Sequence, residues 1–129
     1  MILVDTSAWV EFLRATGSSA DAALERLAGS NRIATTDAVV AELMSGARSE
    51  TELSAVRRML SGPRFYPIRP LFDYESAADI HRRCRAAGSS PGMVECLIAA
   101  VAINNDLELL HRDADFEDIA EVTTLRLTS

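Results

Sequence analysis

The sequence of 129 residues contains no lysine; all 13 of its basic residues are arginine. That absence removes the mechanisms that need a lysine amine: a Schiff base, a P-loop contact to nucleotide phosphates, or a lysine that reads a phosphoaspartate. Aromatic residues are few, with one Trp, two Tyr and four Phe, so the core must rest on Leu, Ile, Val and Ala. The two cysteines, Cys84 and Cys96, make neither a disulfide framework nor a CxxC metal pair. The two histidines, His81 and His111, are too few for a histidine-based metal site. No apolar run is long and uninterrupted enough to cross a bilayer, so no membrane association is expected. The start, MILVDTSAWV, lacks a basic leader and a cleavage site and already carries Asp5. It does not read as a signal peptide, and cytoplasmic residence is the expectation. The net charge of −6 argues against a broad cationic surface for nucleic acid.

What is present is an ordinary globular composition, 48% hydrophobic and 25% charged. The length suits one domain over residues 1–129. ILV reads as a short buried strand, followed by a helix from about Ala8 to Arg14. SADAALERLAG is a second helix stopped by Gly29, and RIAT a short strand. Thr36 and Asp37 are placed to cap the helix AVVAELMSGA. ETELSAVRRML is a further helix, and FYPI an edge strand between prolines. LFDYESAADIHRRCRAAG has apolar residues at helical spacing. The helix GMVECLIAAVAINND, the strand LELLH, a loop with a short helix in RDADFEDIA and a last strand in VTTLRL complete the chain. Short strands alternating with helices imply an α/β sandwich around a mostly parallel sheet.

Acidic residues fall at informative places. Asp5 directly follows the strand ILV, where an open parallel sheet binds its ligands. Ser7 is the better-placed helix cap, which leaves Asp5 for the crevice. Glu42 projects at the flank of the apolar stripe Val39, Val40, Leu43 and Ala47. Asp113 and Asp115 follow the strand LELLH as Asp5 follows ILV. Glu95 is the most telling: its helix shows no polar face over 93–103, so burial is expected all round. The helix dipole offers such a carboxylate only about 0.3–1 kcal/mol. A buried ionised group without a partner costs several kcal/mol and demands a cation. With no lysine to supply one, a divalent ion shared with Asp5 would. Oxygen ligands select Mg²⁺ or Mn²⁺ over Zn²⁺, and such ions act on phosphate substrates by activating water and neutralising phosphoryl oxygens.

Four motifs in register, ILVDTSAWVEFLR, VVAELMSGA, ECLIAAVAI and LLHRDADF, resemble the PIN-domain ribonucleases, and within them the VapC-type toxins of bacterial toxin–antitoxin pairs. The resemblance spans essentially the whole chain. It implies a three-layer α/β/α sandwich with a central, mostly parallel sheet, and a Mg²⁺- or Mn²⁺-dependent endoribonuclease. It places Asp5, Glu42, Glu95, Asp113 and Asp115 as catalytic and metal-binding carboxylates, members differing over which of the last two positions is acidic. Thr6 and Ser7 match a hydroxyl pair that orients the first carboxylate or a bound water. It further implies cleavage of single-stranded or looped RNA, leaving a 5′-phosphate and a 3′-hydroxyl, by a homodimer silenced by a cognate antitoxin in a heterotetramer or larger assembly. Glu95 departs from the pattern, since the family usually carries Asp there. The extra methylene displaces the carboxylate oxygens by roughly 1 Å or more, enough to matter to octahedral Mg²⁺.

The competing classes fit less well. A phosphoacceptor receiver domain needs a lysine beside its aspartate. An aspartyl-nucleophile phosphatase wants Asp-x-Asp after the first strand, but Ser7 stands two residues after Asp5. The alternative within the same fold is a catalytically weak PIN module that only titrates its antitoxin or RNA partner.

Overall fold

A computed structural model describes residues 1–128. Five strands, β1 (Ile2–Val4), β2 (Ile33–Thr35), β3 (Arg64–Phe65), β4 (Glu108–Leu110) and β5 (Arg126–Leu127), form one sheet. Their order is β3-β2-β1-β4-β5, and every neighbouring pair is parallel. Among the described residues seven helices connect them: α1 (Thr6–Leu13), α2 (Ser19–Leu27), α3 (Asp37–Ser45), α4 (Glu50–Met59), α5 (Phe72–Ala86), α6 (Met93–Asn104) and α7 (Asp115–Val122).

The chain runs outward from β1 through β2 to β3, then returns to the other side of β1 as β4 and β5. Right-handed crossovers therefore put α1–α4 on one face of the sheet and α5–α7 on the other. Helix neighbours agree: α1 packs on α2 and α3, and α3 on α4, whereas α5, α6 and α7 pack on one another. The architecture is the expected α/β/α sandwich. The order of strands reverses between β1 and β4, which stay parallel, so the carboxyl ends of these two strands open a crevice at the switch point.

Burial explains the apolar strands. Ile2, Leu3 and Val4 are all buried, because a strand covered by helices on both faces has no solvent side. Fully burying Leu3 or Ile98 is worth about 1.5–3 kcal/mol each. In α6 the small side chains of Ala99, Ala100 and Ala102 are wholly buried, which lets the helix lie close against α5.

Several local expectations are corrected. The first helix begins at Thr6 rather than Ala8, and its cap is Asp5 rather than Ser7: the Asp5 carboxylate accepts from the Ser7 amide. Thr36 occupies the cap position of α3 but its side chain makes no capping bond, and Asp37 instead accepts from the Ile68 amide at 2.6 Å. The edge strand is Arg64–Phe65, not FYPI. Pro67 has no N–H to give, so the ladder ends with Tyr66 donating to the Thr35 carbonyl. The strand in LELLH narrows to Glu108–Leu110, since His111 already turns away: its ring nitrogen accepts the Asp113 amide. The last strand shrinks to Arg126–Leu127 because Val122 still belongs to α7. Thr123 then bends the chain by donating to the Ile119 carbonyl and accepting from the Leu125 amide. The helix of Glu95 is not buried all round: Met93 and Val94 in its first turn are exposed, and burial begins only at Cys96, where the helix enters the core. No helix among the described residues is long and apolar enough to cross a membrane.

Candidate active site

The crevice is built from strand ends. Val4 and Leu110 are register partners, and the Asp5 amide donates to the Leu110 carbonyl at 2.9 Å, so Asp5 is held in the frame of the sheet. The backbone turns into α1 immediately afterwards, and Asp5 is left only 3% exposed. Its Oδ2 accepts from the Ser7 amide at 3.0 Å and from the Ser7 hydroxyl at 2.5 Å. The same hydroxyl accepts the Arg112 amide at 2.9 Å, tying the turn after β1 to the turn after β4. Capping thus occupies one oxygen of Asp5, while Oδ1 accepts no hydrogen bond among the described residues. Burial pushes the Asp5 carboxyl above its ordinary range, the bonds from Ser7 partly offset this, and the Glu42 charge adds to the rise.

Thr6 works differently from its neighbour. Its hydroxyl donates to Glu42 Oε1 at 2.7 Å, so it orients the glutamate of α3 rather than Asp5. Glu42 itself is exposed at the rim.

Glu95 stands third in α6, after Gly92 as cap. At that position a glutamate can curl back to the helix N-terminus. Here it does so, its carboxylate lying against the bare Cα of Gly92. Partial burial raises its carboxyl above the ordinary range; the nearby backbone amide opposes this, and the charges of Asp113, Asp5 and Glu42 add to it. The fold therefore brings four of the five anticipated carboxylates into one electrostatic neighbourhood.

The fifth, Asp115, is held at the same rim by the start of α6. Asp113 Oδ1 accepts the Asp115 amide at 2.9 Å, which tightens the loop after β4. Asp115 Oδ2 in turn accepts the Gly92 amide at 3.2 Å, fastening that loop to the start of α6. Two residues passed over in the sequence emerge as parts of this frame. His111 accepts the Asp113 amide through Nδ1 at 3.0 Å and packs against Phe116. Gly92 lets the Glu95 carboxylate approach. The signal for His111 was its place two residues before Asp113; nothing local marked Gly92. Cys96 is wholly buried and burial pushes its thiol up to about 11, so it packs as a small apolar side chain.

Among the described residues no arginine or histidine lies within ion-pair distance of Asp5, Glu42, Glu95 or Asp113. With like charges facing one another and no cation between them, no three acidic, histidine or cysteine side chains among the described residues converge on one point. An oxygen-only donor set with an open carboxylate oxygen on Asp5 fits a hard divalent cation.

A parallel sheet in this strand order, with carboxylates gathered at its switch point, defines a hydrolase-like acidic crevice. A family model described as PIN domain matches residues 2–122, and the chain belongs to that family. It is 40% identical over 132 residues to Ribonuclease VapC11 of Mycobacterium tuberculosis, the match covering 100% of this chain and 98% of the relative. The same identity and coverage hold for VapC ribonuclease Mb1587 of Mycobacterium bovis. Among solved structures, VapBC2 from Rickettsia felis bound to a promoter DNA fragment superposes with TM-score 0.81 at 24% identity, covering 99% of this chain and 98% of that one. The sarcin-ricin-loop-cleaving toxin VapC20 of Mycobacterium tuberculosis gives TM-score 0.69 at 21% identity, covering 98% and 99%.

Proposed function

We propose that the chain, acting as a single PIN domain over residues 1–129, is a metal-dependent endoribonuclease toxin silenced by a cognate antitoxin. The observation that carries the reading is the group Asp5, Glu42, Glu95 and Asp113, gathered at the switch point with no cation among the described residues to balance it. The ribonuclease names of the relatives at 40% identity support RNA as substrate.

In this reading Asp5, Glu95 and Asp113 hold Mg²⁺ or Mn²⁺, with Glu42 at the rim. Such an ion supplies an activated water and neutralises phosphoryl charge. The protein's own residues do the rest. Ser7 fixes the Asp5 carboxylate through Oδ2 and leaves Oδ1 free of that clamp. Thr6 holds Glu42 at the rim, where it can take a proton from an attacking water. Asp115 and His111 keep Asp113 in place through the loop, so Asp113 is the ligand of the pair and Asp115 its anchor. The acidic crevice suits a basic antitoxin segment that inserts an arginine among the carboxylates. Solved relatives that are toxin–antitoxin complexes, some bound to DNA, support such a partner. The assembly is a homodimer alone and a heterotetramer or larger with antitoxin, in the cytoplasm.

Incubating the purified chain with structured RNA and Mg²⁺ should give products with 5′-phosphate ends, abolished by EDTA and reduced in Glu95→Ala. Full cleavage by Glu95→Ala at saturating metal would remove Glu95 from the site. The curled Glu95 favours a second reading, a module that binds its partners without catalysis. Binding of RNA with no cleavage under either metal would establish it.

A further inference from the structure

We infer that Gly92 is a positioning residue for Glu95, a berth that sets where the longer carboxylate lies. The inference rests on the proposed metal site and adds a residue to it. Gly92 has φ −64° and ψ 151°, a conformation open to any L-residue, so backbone freedom is not the reason for glycine here. The reason is contact. A Cβ at position 92 would overlap Glu95 Oε2 and stand 3.2 Å from its Cδ. The extra methylene of a glutamate is thus taken up by folding the side chain back over a residue with no side chain. The retracted carboxylate stays within the field of Asp113, Asp5 and Glu42. The Gly92 amide meanwhile binds Asp115, so one residue registers both the α6 carboxylate and the loop that carries Asp113.

Two consequences separate this from a general packing role. Gly92→Ala keeps the amide and the backbone conformation, so it expels the carboxylate without unfolding the helix. An aspartate at position 95 would be too short to reach over residue 92 and would not notice the added methyl. The test is a cycle of four chains: native, Gly92→Ala, Glu95→Asp and the double variant. Mn²⁺ binding is followed by calorimetry, with metal-free melting temperature as the folding control. Gly92→Ala should weaken Mn²⁺ binding about tenfold in the native background, the usual effect of losing an orienting contact. In the Glu95→Asp background the same change should alter binding less than about twofold. Equal losses in both backgrounds, or no loss in the native one, would overturn the inference. A Glu95→Ala chain that binds Mn²⁺ like the native protein would show instead that the metal-site reading itself had failed.

Discussion

Asp5 and Asp73 are both buried carboxylates, 3% and 0% exposed, and they are furnished in opposite ways. Asp73, in the first turn of α5, has donors on both oxygens: the Arg69 amide at 2.7 Å on Oδ2 and the Asn104 side chain at 2.7 Å on Oδ1. The Arg69 guanidinium stands 3.6 Å away. Asp5 has its two donors on one oxygen, both from Ser7, and faces other carboxylates. A buried charge that is fully bonded inside the protein locks a loop to a helix and asks nothing of solvent. A buried charge left open among like charges costs stability, and such a cost persists where something outside the chain repays it. The comparison separates an acid bonded on both oxygens from one bonded on a single oxygen where sequence does not.

The sharpest way to break this contrast is to neutralise each acid. Asp5→Asn keeps an oxygen to cap α1 but removes the charge, so RNA cleavage should fall on the order of 1,000-fold. The melting temperature of the metal-free chain should hold or rise. If cleavage persists, Asp5 is only a cap. Asp73→Ala should do the reverse. It removes the acceptor shared by the Arg69 amide and the Asn104 side chain and costs about 1–3 kcal/mol in denaturant unfolding. Cleavage per folded molecule should be unchanged, and a fall would place Asp73 in the working site.

A pH series sharpens the same point. Asp5 and Glu95 are held above their ordinary values of 3.8 and 4.5, so the folded chain binds their protons more tightly than the unfolded chain does. Their contribution to stability is therefore fully present below those ordinary values. It is lost as pH rises through the raised native ones. In EDTA, the Asp5→Asn, Glu95→Gln double variant should lose less stability than the native chain between about pH 4 and pH 7. Parallel curves would show that burial does not disfavour these charges. The smallest effect belongs to the partner of the satisfied acid. Arg69 is half exposed beside Asp73, and Arg69→Met should cost about 0.5 kcal/mol or less, because its amide still donates.

Element types were legible in the sequence because hydrophobic period and Gly or Pro punctuation are local properties. Strand ends were not, because they depend on partners. Proline in FYPI marks an edge but not where pairing stops, which is set by the Tyr66 amide reaching Thr35. Asp5, Glu42, Glu95 and Asp113 could be singled out by their positions against apolar elements. The different hydrogen bonding of Asp113 and Asp115 could not, since the contact that distinguishes them is to Gly92, distant in the chain and brought near by α6. Asp73 went unremarked for the same reason: its donors include Asn104, a residue on another helix.

By itself, then, the sequence determined the alternating architecture, the lack of any lysine to balance buried acids, and the placing of carboxylates after the first and fourth strands. Those are matters of composition and short-range order. The tertiary structure alone decided which acids face one another, which oxygens stay open, and that Glu95 folds back over Gly92. Charges interact through space, and only the folded sheet, by laying β1 beside β4, sets those distances.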